Sequence, residues 1–103
     1  MVDFMGLMKQ AAQLQSKMQG IQSELDHLEV EGTAGGGAVT AKVSGHGQLL
    51  SVTISKEVID PDDVEMLQDL VTAAVNDALN RVKQTTEEKM ARVTGGMRIP
   101  GIL

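Results

Sequence analysis

Residues 4–28 read FMGLMKQAAQLQSKMQGIQSELDHL. Phe4, Leu7, Ala11, Leu14, Met18, Ile21, Leu25 and Leu28 recur in steps of three and four, the spacing that keeps one apolar stripe on one side of a helix. With Asp3 as its cap, the predicted helix spans residues 4–29. At ~1.5 Å per residue it is roughly 40 Å long. The chain has 103 residues, so a small single core cannot cover that length. Part of the seam is therefore expected to meet a second copy, with Leu14, Met18, Ile21 and Leu25 as the residues expected at pairing or packing surfaces.

Downstream the period changes to two. Val30 opens a short strand at about 30–34, and Gly35-Gly36-Gly37 gives a flexible connection. Val39, Ala41 and Val43 alternate with Thr40, Lys42 and Ser44 over 38–44. After Gly45-His46-Gly47, Leu50, Val52 and Ile54 alternate with Ser51, Thr53 and Ser55 over 48–55. This is an antiparallel meander with one covered face. Three short strands are marginal alone, so a helix must cover them. Asp60-Pro61-Asp62-Asp63 supplies a helix start, with Asp60 as N-cap and Pro61 in the first turn. Val64, Leu67, Val71, Ala74 and Ala78, widened by Leu70, Val75, Leu79 and Val82, carry a second helix over 61–93. Gly95-Gly96 ends it and a tail covers 95–103. The predicted fold is a single α+β domain: long helix, three-stranded meander, long helix.

Composition excludes several functions. Phe4 is the single aromatic residue, so no aromatic platform for stacking single-stranded bases can be built. No cysteine is present, which removes disulfides, thiolate nucleophiles and zinc–thiolate sites. There is neither a signal-peptide pattern nor an apolar run of 18 residues, so no membrane association is expected. His27 and His46 fall on a helix end and in a turn, where they read as surface residues. The acids near residue 60 lack the calcium-loop spacing. Gly35–Gly37 is followed by Ala38-Val39 rather than by the Gly-Lys-Ser/Thr of a phosphate loop. No catalytic residue, metal site or cofactor is expected.

Net charge is −5, but it is unevenly distributed. Glu57, Asp60, Asp62, Asp63, Glu65 and Asp69 occupy 57–69 without a base. Residues 70–103 hold Arg81, Lys83, Lys89, Arg92 and Arg98 against three acids. A basic patch on an acidic protein can still hold phosphate, weakly per subunit. The candidate phosphate contacts are Lys83, Lys89, Arg92 and Arg98, with Lys9 and Lys17 on the first helix. Ala74 and Ala78 offer a small-residue surface for close helix approach. Beside them the Asn76 amide reads as a partner for a backbone or cross-subunit polar group.

Three segments carry a family resemblance. Asp69-Leu70-Val71-Thr72-Ala73-Ala74-Val75-Asn76-Asp77-Ala78-Leu79, the tail Gly95-Gly96-Met97-Arg98-Ile99-Pro100-Gly101, and Val30-Glu31-Gly32-Thr33-Ala34-Gly35-Gly36-Gly37 after a Gln- and Met-rich helix resemble the YbaB/EbfC family of bacterial nucleoid-associated proteins. Gln68 stands where that family often carries an acid. The resemblance implies a tweezer-like homodimer in the cytoplasm, associated with the nucleoid, that binds double-stranded DNA and alters its conformation. The six candidate bases point to phosphate contact, and with only three arginines in the chain little sequence readout is expected. The other reading is an interaction scaffold for DNA repair or replication proteins, with incidental DNA affinity.

Overall fold

The structure, a computed structural model, describes residues 3–93. The expected tail at 95–103, Arg98 included, lies outside the described residues. Helix α1 spans Phe4–His27. Its first turn is closed by Asp3, whose carboxylate accepts the Met5 N–H at 3.1 Å while its carbonyl accepts that of Leu7. The helix stops short of the expected residue 29 because strand pairing captures the backbone there. Leu28 is already extended, its carbonyl accepts the Gly45 N–H, and Glu29 pairs with Ser44.

Three antiparallel strands follow in the order β1 (Glu29–Ala34), β2 (Val39–Ser44) and β3 (Leu49–Ile54). They match the predicted strands to within a residue at each end. Alternation sets the two faces. Val39, Ala41 and Val43 of the central strand point inward and are fully buried, with Val30, Ala34, Val52 and Ile54 beside them. A bulge beside Lys42 and Val43 sets Val43 opposite Leu49 and leaves Leu50 as the extra residue. Both leucines remain about half exposed.

Helix α2 spans Val64–Val93, three residues later than the expected start at 61. Two acidic capping sequences compete here, and the second wins. The Asp60 carboxylate accepts the Asp62 N–H at 2.9 Å and its carbonyl accepts that of Asp63, which makes 60–63 a turn with Pro61 in its second position. Asp63 then accepts the Met66 N–H at 3.1 Å and is the actual cap.

Ala74, Ala78 and Val82 of α2 close the core over Val39, Ala41 and Val43. The contact with β1 is at backbone distance. A Cβ placed on Gly32 would stand 2.2 Å from the Ala78 nitrogen and 2.5 Å from the Ala74 oxygen. Glycine on the strand and two alanines on the helix let strand and helix touch directly.

Beyond the sheet, α2 continues as a rod of about 45 Å in total and meets α1 running back alongside it. The molecule measures 73 × 26 × 16 Å with a radius of gyration of 19.7 Å, against about 13 Å for a compact domain of this length. Ile21 and Leu25 are the buried part of the α1 seam. Its N-terminal half is not covered: Phe4, Leu7 and Leu14 are 68%, 54% and 50% exposed.

Candidate nucleic-acid interface

Where α1 and α2 run side by side, a shallow groove is lined by Lys17, Gly20, Ile21 and Glu24 from one helix and by Lys89, Arg92 and Val93 from the other. Helical periodicity produces this lining. Gly20 and Ile21 lie three and four residues after Lys17, and Glu24 lies four and three after them, so all share one face. Lys89, Arg92 and Val93 do the same on α2. Three of the six candidate bases thus converge, against one carboxylate.

Within the groove, Lys89 Nζ donates to Glu24 Oε2 at 3.1 Å, across 65 residues of sequence, and the Lys89 side chain is only 18% exposed. Lys89 is therefore a tie between the helices as much as a surface charge. Lys17 and Arg92 have no ion pair among the described residues. Lys83 is exposed but lies nine residues before Arg92, a half-turn away around α2 at ~100° per residue. Lys9 is exposed on the overhanging part of α1, about 12 Å from Lys17 along the axis. The groove gathers neither.

The residues expected at packing or pairing surfaces separate into three groups. Ala74 and Ala78 are fully buried beneath the sheet, and Leu70 packs against the same core. Ile21 and Leu25 are buried, Met18 is half-buried and Leu14 is exposed. Asn76 is exposed on the outer side of α2. The close approach made possible by Ala74 and Ala78 is to a strand of the same chain.

Two polar links were not visible in the sequence. Asp77 accepts the Thr33 N–H at 3.0 Å and the Arg81 Nε–H at 3.2 Å. The backbone hydrogen bond from Thr33 is the main cause that holds its carboxyl below the usual carboxylate range, reinforced by the Arg81 hydrogen bond and charge and opposed by partial burial. It fastens the edge strand β1 to α2. His46, in the turn after β2, donates from Nε2 to Asp26 near the end of α1. The Asp77–Arg81 pair follows the i,i+4 spacing of a helix, but sequence spacing holds no signal for the bonds to Thr33 and Asp26, which join residues from different elements.

At the opposite end of α2, Asp63, Glu65 and Asp69 rim a hollow with Met66, Leu70 and Ala73. Among the described residues no group of three or more His, Cys, Asp or Glu side chains is placed to hold a metal ion. No helix there is long and apolar enough to cross a membrane.

A slender α+β protein of helix, three-stranded sheet and helix, with bases collected where its helices run together, is the class these features define. The sequence pattern of the YbaB/EbfC DNA-binding family matches residues 1–97, and the chain belongs to that family. A nucleoid-associated protein of Chloroflexus aurantiacus is 55% identical over 92 residues, covering 89% of this chain and 92% of the relative. Another from Afipia carboxidovorans is 47% identical over 102 residues, 99% of this chain and 97% of the relative. One from Alkaliphilus metalliredigens is 50% identical and covers 93% of this chain and 84% of its own. The crystal structure of an uncharacterized protein from Helicobacter pylori superposes with a TM-score of 0.77 at 20% identity, over 92% of this chain and all of that one, which shows the shared fold.

Proposed function

We propose that two copies of this chain pair into a dimer in the bacterial nucleoid, within the cytoplasm, and hold double-stranded DNA by its phosphates, altering its conformation. The observation that carries this reading is the convergence of Lys17, Lys89 and Arg92 at one groove in a member of a DNA-binding family. Phosphate contacts position a protein without reading sequence. Bidentate guanine recognition uses arginine most often; Arg81 is engaged by Asp77, which leaves Arg92 in the groove, so sequence readout is sparse. Lys9, further along α1, and Lys83, on the opposite side of α2, would each meet DNA outside the groove.

Pairing is supported by the exposed seam of Phe4, Leu7 and Leu14. Large aliphatic side chains gain about 1.5–3 kcal/mol each on full burial, and a second α1 is the surface of matching period and length. A dimer presents two grooves at a fixed separation, so duplex bound at both must conform to that spacing.

The test is duplex retention measured across a salt series, with sedimentation mass followed in parallel. The logarithm of affinity should fall with the logarithm of salt by ~0.9 per phosphate neutralised. Alanine at Lys17, Lys83 and Arg92 together should weaken binding and flatten that slope. A salt-independent affinity refutes the phosphate contact, and a stable folded monomer refutes the pairing. The acidic hollow at the start of α2 favours a second reading, docking of a basic partner protein of DNA repair or replication; DNA binding unchanged in the triple variant would support it.

A further inference from the structure

Gly20 sits in the middle of α1, where glycine lowers the folding equilibrium about five-fold relative to alanine. Elsewhere in the fold such residues have a visible reason. A Cβ on Gly32 or Gly45 would meet backbone at 2.2 Å or 2.3 Å. At Gly20 nothing lies within 4 Å of the Cβ position, so no contact within the chain requires a glycine. Yet Gly20 lines the groove, with Lys17 one turn before it, Glu24 one turn after, and Lys89 and Arg92 opposite. Bare helix backbone is thus displayed where the cations converge.

We infer that Gly20 is the floor of a seat for the sugar–phosphate backbone of duplex DNA. This rests on the DNA-binding reading above and adds to it the place where the backbone sits. Mid-helix, the Gly20 N–H is committed to the helix, so the residue supplies room and not a hydrogen bond. Without a Cβ, a phosphate can settle low enough between the helices to be reached by Lys17 and Arg92 together. Glycine is commonly used for such close approach to a ligand. The one carboxylate in the groove, Glu24, is neutralised by Lys89 at 3.1 Å and does not repel the occupant. Charge chooses DNA over a second copy as that occupant. The groove rim is cationic, whereas the exposed apolar residues that suit a partner helix, Phe4, Leu7 and Leu14, lie further toward the N-terminus of α1.

The test compares the full chain with Gly20→Ala, using a short mixed-sequence duplex as probe. Thermal unfolding should move upward by about 5 °C, the ordinary gain from replacing a helical glycine. Duplex affinity should fall about ten-fold, the scale of one lost charge-assisted contact. The salt slope should become shallower by ~0.9 for each phosphate no longer engaged. A variant that melts higher but binds duplex with unchanged affinity and slope overturns the inference and leaves the DNA reading intact. A variant whose sedimentation mass falls assigns the groove to a second copy and likewise overturns it. If the unaltered chain fails to retain duplex at low salt, it is the DNA reading itself that fails.

Discussion

Replacing Gly32 with alanine tests the packing on which the rest of the molecule depends. The added Cβ would stand 2.2 Å from the Ala78 nitrogen, 2.5 Å from the Ala74 oxygen and 2.7 Å from the Ala78 Cα, where ordinary contact begins at 3.4 Å. All three atoms are backbone or Cα, so no side-chain rotation relieves them. Relief requires α2 and β1 to separate by more than an ångström. The same interface holds Val39, Ala41, Val43, Ala74 and Ala78, all fully buried, and a gap of ~1 Å forfeits up to half of each dispersion contact across it. Overpacking of this kind costs about 1–3 kcal/mol where side chains can yield, and more where they cannot. About 3 kcal/mol is therefore the lower bound expected here, a large part of the ~5–15 kcal/mol that stabilises a domain. In urea, with a slope of ~1–2 kcal/mol per molar for a small protein, the midpoint should fall by about 1.5–3 M. Chain concentration is held fixed, because association would add to stability. The control is Gly36→Ala, where the backbone is left-handed at φ 68° and nothing lies within 4 Å; only conformational strain of about 1–2 kcal/mol applies there. If Gly32→Ala unfolds at the wild-type midpoint, or no earlier than the control, the direct strand-to-helix contact is not what it is described to be.

Asp77 gives a pH signature. Its carboxyl is held below the ordinary range in the folded chain, so its charge contributes stability above that range, lost as pH falls through the depressed folded value. Asp77→Asn retains an acceptor for the Thr33 N–H, so its stability deficit relative to wild type should be full at neutral pH and shrink on acidification; a deficit constant with pH counts against this account. A double-mutant cycle of Lys89→Ala and Glu24→Ala should return a coupling of about 0.5–1 kcal/mol, read by denaturant unfolding, and zero coupling would mean that the bridge ties nothing. Replacing Leu7 and Leu14 with glutamine should barely alter the protomer, since both are at least half exposed. At about 1 kcal/mol each in both copies, however, the pair should raise the dimer dissociation constant nearly a thousand-fold by sedimentation.

Much of this architecture could be read from short-range pattern. The switch from a three–four period to strict alternation at Val39–Ser44, the glycines at 35–37 and the seam of the first helix are local signals, and each became the expected element. The start of α2 was harder because Asp60 and Asp63 both satisfy a capping pattern. The choice between them depends on a turn closed by Asp60, a preference that composition does not reveal. The candidate interface was only half legible. That Lys17 and Arg92 share a groove follows from how the two helices run past each other, and the capture of Lys89 by Glu24 joins positions 65 residues apart. Gly32 illustrates the same limit. In a strand it reads as a weak position, and only the packed helix shows why no larger residue fits.

The sign of the net charge, which speaks against a polyanion, is reconciled with DNA binding by distance. Asp62, Asp63, Glu65 and Asp69 lie at the beginning of α2, and Lys89 and Arg92 near its end. Asp63 and Arg92 are about 44 Å apart along the helix axis at ~1.5 Å per residue. Asp69 and Lys89, the nearest members of the two sets, are about 30 Å apart along the axis; screening at physiological salt has a length of about 8 Å, so more than three such lengths separate the acidic cluster from the groove. A duplex held at the groove is therefore governed by the charges around it. These include Glu24 in the groove and Glu87 and Glu88 on the neighbouring turn against the three bases, so the formal charges nearly cancel and the net attraction per groove is small. A surface of that kind binds loosely and responds sharply to salt. On the proposed reading, two grooves of a dimer would act together on DNA, which would make the length of the rod and the pairing of its exposed seam part of the binding mechanism.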